Sequence, residues 1–305
     1  MERLDFPNRI TVELTNQCNV SCSFCPRQDV PMEIGFMDMG LYRKIIDEAA
    51  QHLPVKLVLF FRGESLLHPH FLQCLGYAKE RGIGPIQFAS NALALDAETA
   101  EKMLDIGIDF ISFSLDTLNP QVYRSTRKQG NLCTSMEHVI GLSEKCRQRR
   151  AQGLAAPVLQ VSTIELKEYL DEQQDFVAFW QKHVDIVRVY YEHDEKGGFR
   201  SDEVKRQLAH IGERRPCRKV FTDFLVYWNG DLALCNYDWK GGIKGLNVKN
   251  LSIYEAWHSE EYERIRRMQN ETIFEESLMC KGCQHWRIDY MPEGFLGKMY
   301  KGTDQ

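Results

Sequence analysis

The sequence predicts an α/β fold: a partial (β/α)6 TIM-like barrel over residues 1–195, a linker over 196–215, and a small C-terminal domain of β-hairpin plus helix over 216–305. Three observations carry this. Apolar, β-branched runs alternate with helical patterns, and several of those runs are apolar at nearly every position, as parallel strands covered on both faces are. The alternation gives six β–α units, two short of a closed eight-stranded barrel. Past residue 195 the pattern breaks into a polar, glycine-bearing stretch, then a hairpin and a second group of cysteines.

In chain order the predicted strands are Ile10–Leu14, Val55–Phe61, Pro85–Ser90, Asp109–Leu115, Val158–Ile164 and Ile186–Tyr190. Helical patterns lie between them near Leu41–His52, Pro69–Arg81, Asp96–Ile106, Ser135–Arg150 and Glu168–His183. Asp96 stands at a cap position and Pro69 at a first-turn position. Successive parallel strands imply right-handed crossovers. Farther on, Asn229-Gly230-Asp231 between Phe224–Trp228 and Leu232–Leu234 reads as a two-residue hairpin turn, with Cys235 at the end of its second strand.

Composition excludes several function classes. With 38 Lys+Arg against 43 Asp+Glu the net charge is −5, so no electrostatic pull towards nucleic acid or an anionic membrane is expected. The basic runs at 147–150 and 264–267 read as solvated helix faces. No apolar stretch is long enough to span a bilayer, and Met1–Asn8 is too short and charged for a signal peptide. A cytoplasmic location is expected, where ten cysteines serve as metal ligands more readily than as bridges.

Three of those cysteines fall in Glu13-Leu-Thr-Asn-Gln-Cys18-Asn-Val-Ser-Cys22-Ser-Phe24-Cys25-Pro26, directly after the first strand. A structural zinc site takes four ligands, and this loop has three thiols and no histidine. Three thiolates can hold three irons of a [4Fe–4S] cube and leave the fourth iron open to a ligand. The second group is Cys217, Cys235, Cys280 and Cys283, from the hairpin and a C-x2-C. Four ligands suit a zinc ribbon or a fully ligated cluster equally.

The triad's C-x3-C-x2-C spacing, with aromatic Phe24 before the third cysteine, resembles the radical S-adenosylmethionine (SAM) enzymes. The C-terminal group, including Gly230-x4-Cys235, resembles their SPASM/twitch extension. The resemblance implies the partial-barrel fold, a SAM-binding [4Fe–4S] cluster on Cys18, Cys22 and Cys25, and one auxiliary [4Fe–4S] cluster on Cys217, Cys235, Cys280 and Cys283. It implies reduction of SAM to a 5′-deoxyadenosyl radical, and a reductant such as flavodoxin or ferredoxin.

Chemistry on parallel sheets gathers at C-terminal strand ends, and there the resemblance continues. Arg62-Gly63-Glu64-Ser65 is similar to the family's Gly-Gly-Glu-Pro, which binds the methionine amino group, with Arg62 and Ser65 as departures. Ser90-Asn91-Ala92 is similar to Thr-Asn-Gly, and Ser112-Phe-Ser114-Leu-Asp116 to Ser-Leu-Asp-Gly. These imply Phe24, Gly63, Glu64, Asn91, Ser114 and Arg127 as cofactor-binding residues. Asp116 is expected to cap the next helix. Glu192, His193 and Asp194 stand where residues lining a substrate opening would be; His68 and His70 are expected at a helix entry. Cys74 and Cys146 read as buried small hydrophobes. Cys133, expected in a loop after the fourth strand, is a speculative hydrogen-atom donor.

The first strand begins near residue 9, which favours a small-molecule substrate (a sugar, aminocyclitol or amino acid derivative) over a ribosomal peptide gripped by an N-terminal domain. The expectation is an oxidoreductase acting on a hydroxyl-bearing carbon, with the auxiliary cluster as electron acceptor. The alternatives are a radical epimerase with a cysteine donor, a peptide- or protein-modifying enzyme, and a non-catalytic metal-binding or electron-transfer protein.

Overall fold

The computed structural model describes residues 1–192, 202–276, 278–291 and 297–303. Its frame is one ten-stranded sheet. The six predicted strands are present as β1 (Arg9–Val12), β2 (Lys56–Leu59), β3 (Ile86–Ser90), β4 (Phe110–Ser114), β5 (Val158–Ile164) and β6 (Ile186–Tyr190), paired side by side in sequence order and parallel throughout. Helices α1 (Met39–Ala49), α2 (Phe71–Glu80), α3 (Ala97–Ile106), α4 (Pro120–Thr126), α5 (Leu132–Ala151) and α6 (Gln173–Trp180) connect them. This is an α/β partial TIM-like barrel.

Local chemistry sets the element ends. Asp38 accepts from the Gly40 and Leu41 amides, so α1 starts two residues before the apolar pattern does. Asp96 caps α3 by accepting from Thr99 N at 2.7 Å, and Gly107 closes that helix at φ +87°. Pro69 lies before α2 rather than in its first turn. Helix α4 carries no long apolar periodicity and escapes the sequence reading; Asn119 caps it with Pro120 at its first position.

The C-terminal strands do not form a separate sheet. β7 (Asp223–Val226) pairs parallel to β1 on the side away from β2. β8 (Asp231–Ala233) folds back antiparallel on β7 through the expected turn, where Gly230 takes φ +88°. β9 (Ile243–Asn247) pairs with β8 and ends the sheet; β10 (Gly297–Lys301) adds antiparallel to β6 at the opposite edge. The 196–215 stretch contains helix α7 (Asp202–Ala209), whose Val204 and Leu208 pack with Ile211 on Trp286. Residues 196–201 of that stretch lie outside the described residues.

The largest apolar cluster among the described residues runs from the barrel into the C-terminal part. Ile10, Leu57, Ile86 and Val161 share it with Phe224, Trp257, Tyr262 and Ile265, which come from β7 and from helices α9 (Ile253–Trp257) and α10 (Glu260–Glu271), following the short α8 (Lys219–Thr222). Alternation along the strands then leaves the other face of the sheet polar. Ser112 and Ser114 of β4 share that inner face with Gln160 and Ser162, their register partners on β5.

Candidate functional site

The triad loop is shaped by its own side chains. Thr15 Oγ1 donates to Gly35 O at 2.7 Å and accepts from Gln17 N at 3.0 Å. Asn16 Nδ2 donates to Glu33 O at 2.7 Å and its Oδ1 accepts from Gly35 N at 2.9 Å, tying the returning chain to the loop. Ser21–Cys22 forms a two-residue antiparallel ladder with Arg127–Lys128, Cys22 opposite Arg127. A turn follows, with Cys25 N donating to Cys22 O at 3.1 Å. Cys22 is buried, Cys18 and Cys25 half-buried. Burial pushes the Cys22 thiol up to about 12, against the pull of the Arg127 charge, and the neighbouring thiols Cys25 and Cys18 add to the rise. The three thiols share one loop, two of them half-buried, and three thiolates in one loop are the donor set of a cluster with one open iron.

Around this loop the strand ends contribute in order. Gly63 lies against its backbone: a Cβ there would come within 2.4 Å of Thr15 O and 2.5 Å of Gln17 O. The backbone that residue 63 approaches so closely is that of the triad loop itself. Glu64 N donates to Gln17 O at 2.8 Å, one residue ahead of Cys18. The Glu64 carboxylate is buried, accepting from Asn91 N at 2.8 Å and Leu66 N at 3.2 Å; burial raises its pKa while these amides oppose the rise. Asn91 Nδ2 donates to Asn19 Oδ1 at 2.7 Å and reaches Cys18 Sγ at 3.9 Å. Ala92 stands at φ +62°, the left-handed conformation for which glycine is the usual residue. On β4, Ser112 Oγ accepts from Gln160 Nε2 at 2.7 Å, and that amide also reaches Tyr190 Oη at 3.4 Å. Ser114 lies on the same inner face, half-buried, next to Ser162 in the register.

Two expectations change here. Asp116 does not cap a helix. It is buried at φ +63° and paired with Arg127, whose Nε and Nη2 reach its Oδ2 at 2.6 and 2.5 Å. Arg127 is itself buried, its guanidinium 5.5 Å from the Phe24 ring centre, so it braces the triad loop through Phe24. Cys133 is not in a loop: Asn131 accepts from Thr134 N and starts α5 at Leu132, leaving Cys133 exposed in the first helical turn. Cys74 and Cys146 are buried on α2 and α5 as expected. His68 Nε2 lies 2.9 Å from Met37 O while its Nδ1 accepts from His70 N, a helix-entry arrangement. Glu192 follows β6; His193 and Asp194 lie outside the described residues.

The second thiol group converges from three segments. Cys217 N donates to Gln269 Oε1 at 3.0 Å, and Arg214 holds the same oxygen at 3.2 Å and Cys283 O at 2.9 Å. The Tyr237 amide points at Cys235 Sγ (3.5 Å) and the His285 amide at Cys283 Sγ (3.4 Å), while the Tyr237 and His285 rings stack 3.7 Å apart. Burial raises Cys217 and Cys280 to about 12, and each of the four thiols carries at least one other of the group among its electrostatic neighbours or is one for them. The guanidinium of Arg214 faces Cys280, Cys283 and Cys217. Among the described residues no three His, Cys, Asp or Glu side chains close to the spacing of a single metal ion. Four cysteines would also hold one zinc, with Zn–S bonds of about 2.3 Å. A four-iron cube with one thiolate per iron fits this donor set.

Sequence reasoning missed the residues that join the two groups. Glu13, at the end of β1, is fully buried and clasped by Arg62, Nε to Oε2 and Nη2 to Oε1 both at 2.7 Å. The Arg62 guanidinium lies 3.6 Å from the Tyr227 ring centre. An acidic residue closing an otherwise apolar strand, and an arginine in a glycine position, were the available signals. Between the segment after the triad (Val30–Glu33) and the hairpin lies a cavity of about 520 Å³ with Arg62, Trp228 and Trp239 in its wall.

Comparison with known proteins agrees with this geometry. The model of the radical SAM superfamily matches residues 12–149, and that of the SPASM iron–sulfur cluster-binding domain matches 217–284. The tungsten-containing aldehyde ferredoxin oxidoreductase cofactor-modifying protein of Pyrococcus furiosus is 32% identical over 108 residues, 35% of this chain and 30% of that protein. A probable GTP 3′,8-cyclase of Methanocaldococcus jannaschii is 30% identical over 132 residues, 40% of this chain and 41% of that protein. The mycofactocin maturase MftC of Mycobacterium ulcerans is 24% identical over 186 residues, 61% of this chain and 47% of that protein. The chain thus spans less than half the length of each of these relatives. Among solved structures, BtrN in complex with AdoMet and 2-DOIA aligns over 93% of this chain and 94% of its own, with a TM-score of 0.60 at 18% identity. Streptococcus suis SuiB bound to the precursor peptide SuiA aligns over 96% of this chain and 75% of its own, with a TM-score of 0.71 at 14% identity. At such identities the likeness is one of fold.

Proposed function

This chain belongs to the radical SAM superfamily and carries a SPASM iron–sulfur cluster-binding domain, and from that premise we propose that it is an oxidoreductase acting on a hydroxyl-bearing carbon of a small polar molecule. The family's cofactors, SAM and two [4Fe–4S] clusters, supply a 5′-deoxyadenosyl radical that takes a hydrogen atom from carbon and an acceptor for the electron that leaves with a proton. In this reading Cys18, Cys22 and Cys25 hold the first cluster and leave one iron for SAM, and Cys217, Cys235, Cys280 and Cys283 hold the second completely. Asn91 directs an amide N–H at the Cys18 sulfur, Glu64 fixes the Asn91 backbone, and Arg127 with Phe24 braces the loop. Gly63 gives that loop room, and Ser114 offers a hydroxyl to SAM from β4. A reductant is needed, as for all such enzymes; flavodoxin or ferredoxin in the cytoplasm suits ten unbridged cysteines.

The observation that carries the substrate class is the Ser112–Gln160–Tyr190 array on the inner barrel face. Amide and hydroxyl groups at successive strands can exchange hydrogen bonds with a polyhydroxylated ring, where an apolar wall would leave such groups unpaired at about 1–3 kcal/mol each. Glu192, two residues past β6, is the group proposed to take the hydroxyl proton. The epimerase alternative keeps Cys133 as its proposed donor, exposed in the first turn of α5. Modification of a peptide has one observation in its favour, the cavity of about 520 Å³ that adjoins edge strand β9.

The test is anaerobic turnover of the loaded protein with SAM, dithionite and a panel of polyols, aminocyclitols and amino sugars. A product lighter by two hydrogens, formed with equal amounts of 5′-deoxyadenosine, supports oxidation. A product of unchanged mass carrying solvent deuterium, or turnover of peptides alone, contradicts it.

A further inference from the structure

We propose that Arg62 is a positioning residue that ties the two cluster-bearing loops to each other, so that the auxiliary loop is seated by the same three residues that seat the triad loop. The proposal rests on the two-cluster reading above.

Residues 62–64 touch both loops. On one side Gly63 abuts the carbonyls of Thr15 and Gln17, and Glu64 N donates to Gln17 O. On the other, Arg62 reaches into the C-terminal hairpin. Its guanidinium covers the Tyr227 ring at 3.6 Å and its Nη1 donates to Trp239 O at 3.4 Å. Tyr227 Oη donates to Asp238 O, and Asp238 N donates to Cys235 O at 3.0 Å. The Asp238 carboxylate closes the same loop, Oδ2 accepting from Leu234 N at 2.8 Å and from Gly242 N at 2.5 Å. Contacts therefore run without a break from Cys18's neighbour Gln17, through residues 62–64, to the loop that follows Cys235.

Glu13 makes the arrangement rigid. Its carboxylate is fully buried and takes two guanidinium bonds, the Arg62 amide at 3.2 Å and the Trp228 amide at 3.4 Å. A buried carboxylate left unpaired is strongly destabilising, so Arg62 is confined to one pose. Only arginine can hold a carboxylate with a planar fork and stack on an aromatic face together. Lysine would keep the charge and lose the stacking.

The experiment uses the full chain, reconstituted anaerobically, in four forms: unsubstituted, Tyr227→Phe, Arg62→Lys, and the double variant Glu13→Gln/Arg62→Gln, which leaves no charge buried alone. Iron content, electron paramagnetic resonance of the dithionite-reduced protein with and without SAM, and the rate of iron loss to a chelator are measured. The expected result is about eight irons per chain, an unchanged SAM-induced shift of the first cluster's signal, and displaced g values with severalfold faster iron loss for the auxiliary cluster in all three variants. Loss of only the auxiliary irons supports the same conclusion. Variants with full iron whose auxiliary signal and chelation rate match the unsubstituted protein overturn it. An unsubstituted protein that takes up only about four irons overturns the two-cluster reading, and the proposal with it.

Discussion

Gly63 and Thr15 are in backbone contact: a Cβ on Gly63 would lie 2.4 Å from the Thr15 carbonyl oxygen. No real Cβ sits that close to a carbonyl, so the end of β2 and the start of the triad loop fit together only while residue 63 is glycine. The glycine's role is thereby one of packing against the cysteine-bearing chain, three residues ahead of Cys18.

Gly63→Ala is expected to push the loop outward and spread the three thiols. Anaerobic reconstitution should then load about four irons instead of about eight, with no 5′-deoxyadenosine formed. Full loading in that variant would mean the loop can shift at no cost to the site.

Arg127 and Asp116 form a buried pair whose loss on one side leaves a charge alone. Arg127→Met is expected to lower stability by about 3–5 kcal/mol, read from the denaturant midpoint. Arg127→Met/Asp116→Asn should recover much of that. Thr126 and Arg127 sit beside the Cys22 ladder, so the single variant should also load iron poorly.

Cys133→Ser is expected to leave iron content, thermal midpoint and 5′-deoxyadenosine formation unchanged, because the thiol is exposed on α5. A loss of turnover with intact SAM cleavage would support the hydrogen-donor role.

Alkaline pH should destabilise the cluster-free protein. Burial raises Cys22, Cys217 and Cys280 to about 12 and Cys146 to about 11, against about 8.5 for an unfolded thiol. Raised values mean that the folded state keeps protons the unfolded state releases. Stability is thus full below about pH 8.5 and falls as pH rises towards the folded values. The thermal midpoint of the cluster-free chain should drop between about pH 8 and about pH 10. The loaded protein, whose ligand thiols are already deprotonated, should drop less.

Much of this was legible in the sequence because it is local. The six parallel strands, the Asp96 cap and the Gly230 turn each rest on residues a few positions apart. The positions of Cys18, Cys22 and Cys25 needed only their spacing. What stayed hidden is long-range. Glu13 and Arg62 meet across 49 positions, and nothing local to Asp223–Val226 tells that it pairs with β1 rather than standing in a sheet of its own. Asp116 looked like a cap because caps are the commonest use of an aspartate after a strand; its partner Arg127 arrives only once α4 turns the chain back. For Cys133 a signal was present, since Asn131 three residues before Thr134 is a cap pattern that starts α5 earlier than its apolar spacing does. Ala92 holds left-handed backbone without glycine, which its own propensity would not suggest; aspartate, as at Asp116, tolerates that conformation better.

The most direct test of the account is the iron and sulfide content of three anaerobically reconstituted proteins: the unsubstituted chain, Cys18→Ala/Cys22→Ala/Cys25→Ala, and Cys217→Ala/Cys235→Ala/Cys280→Ala/Cys283→Ala. Two clusters predict about eight irons in the first and about four in each of the others, with SAM cleavage absent from the second. Zinc bound by Cys217, Cys235, Cys280 and Cys283, with about four irons in the unsubstituted chain, would contradict it.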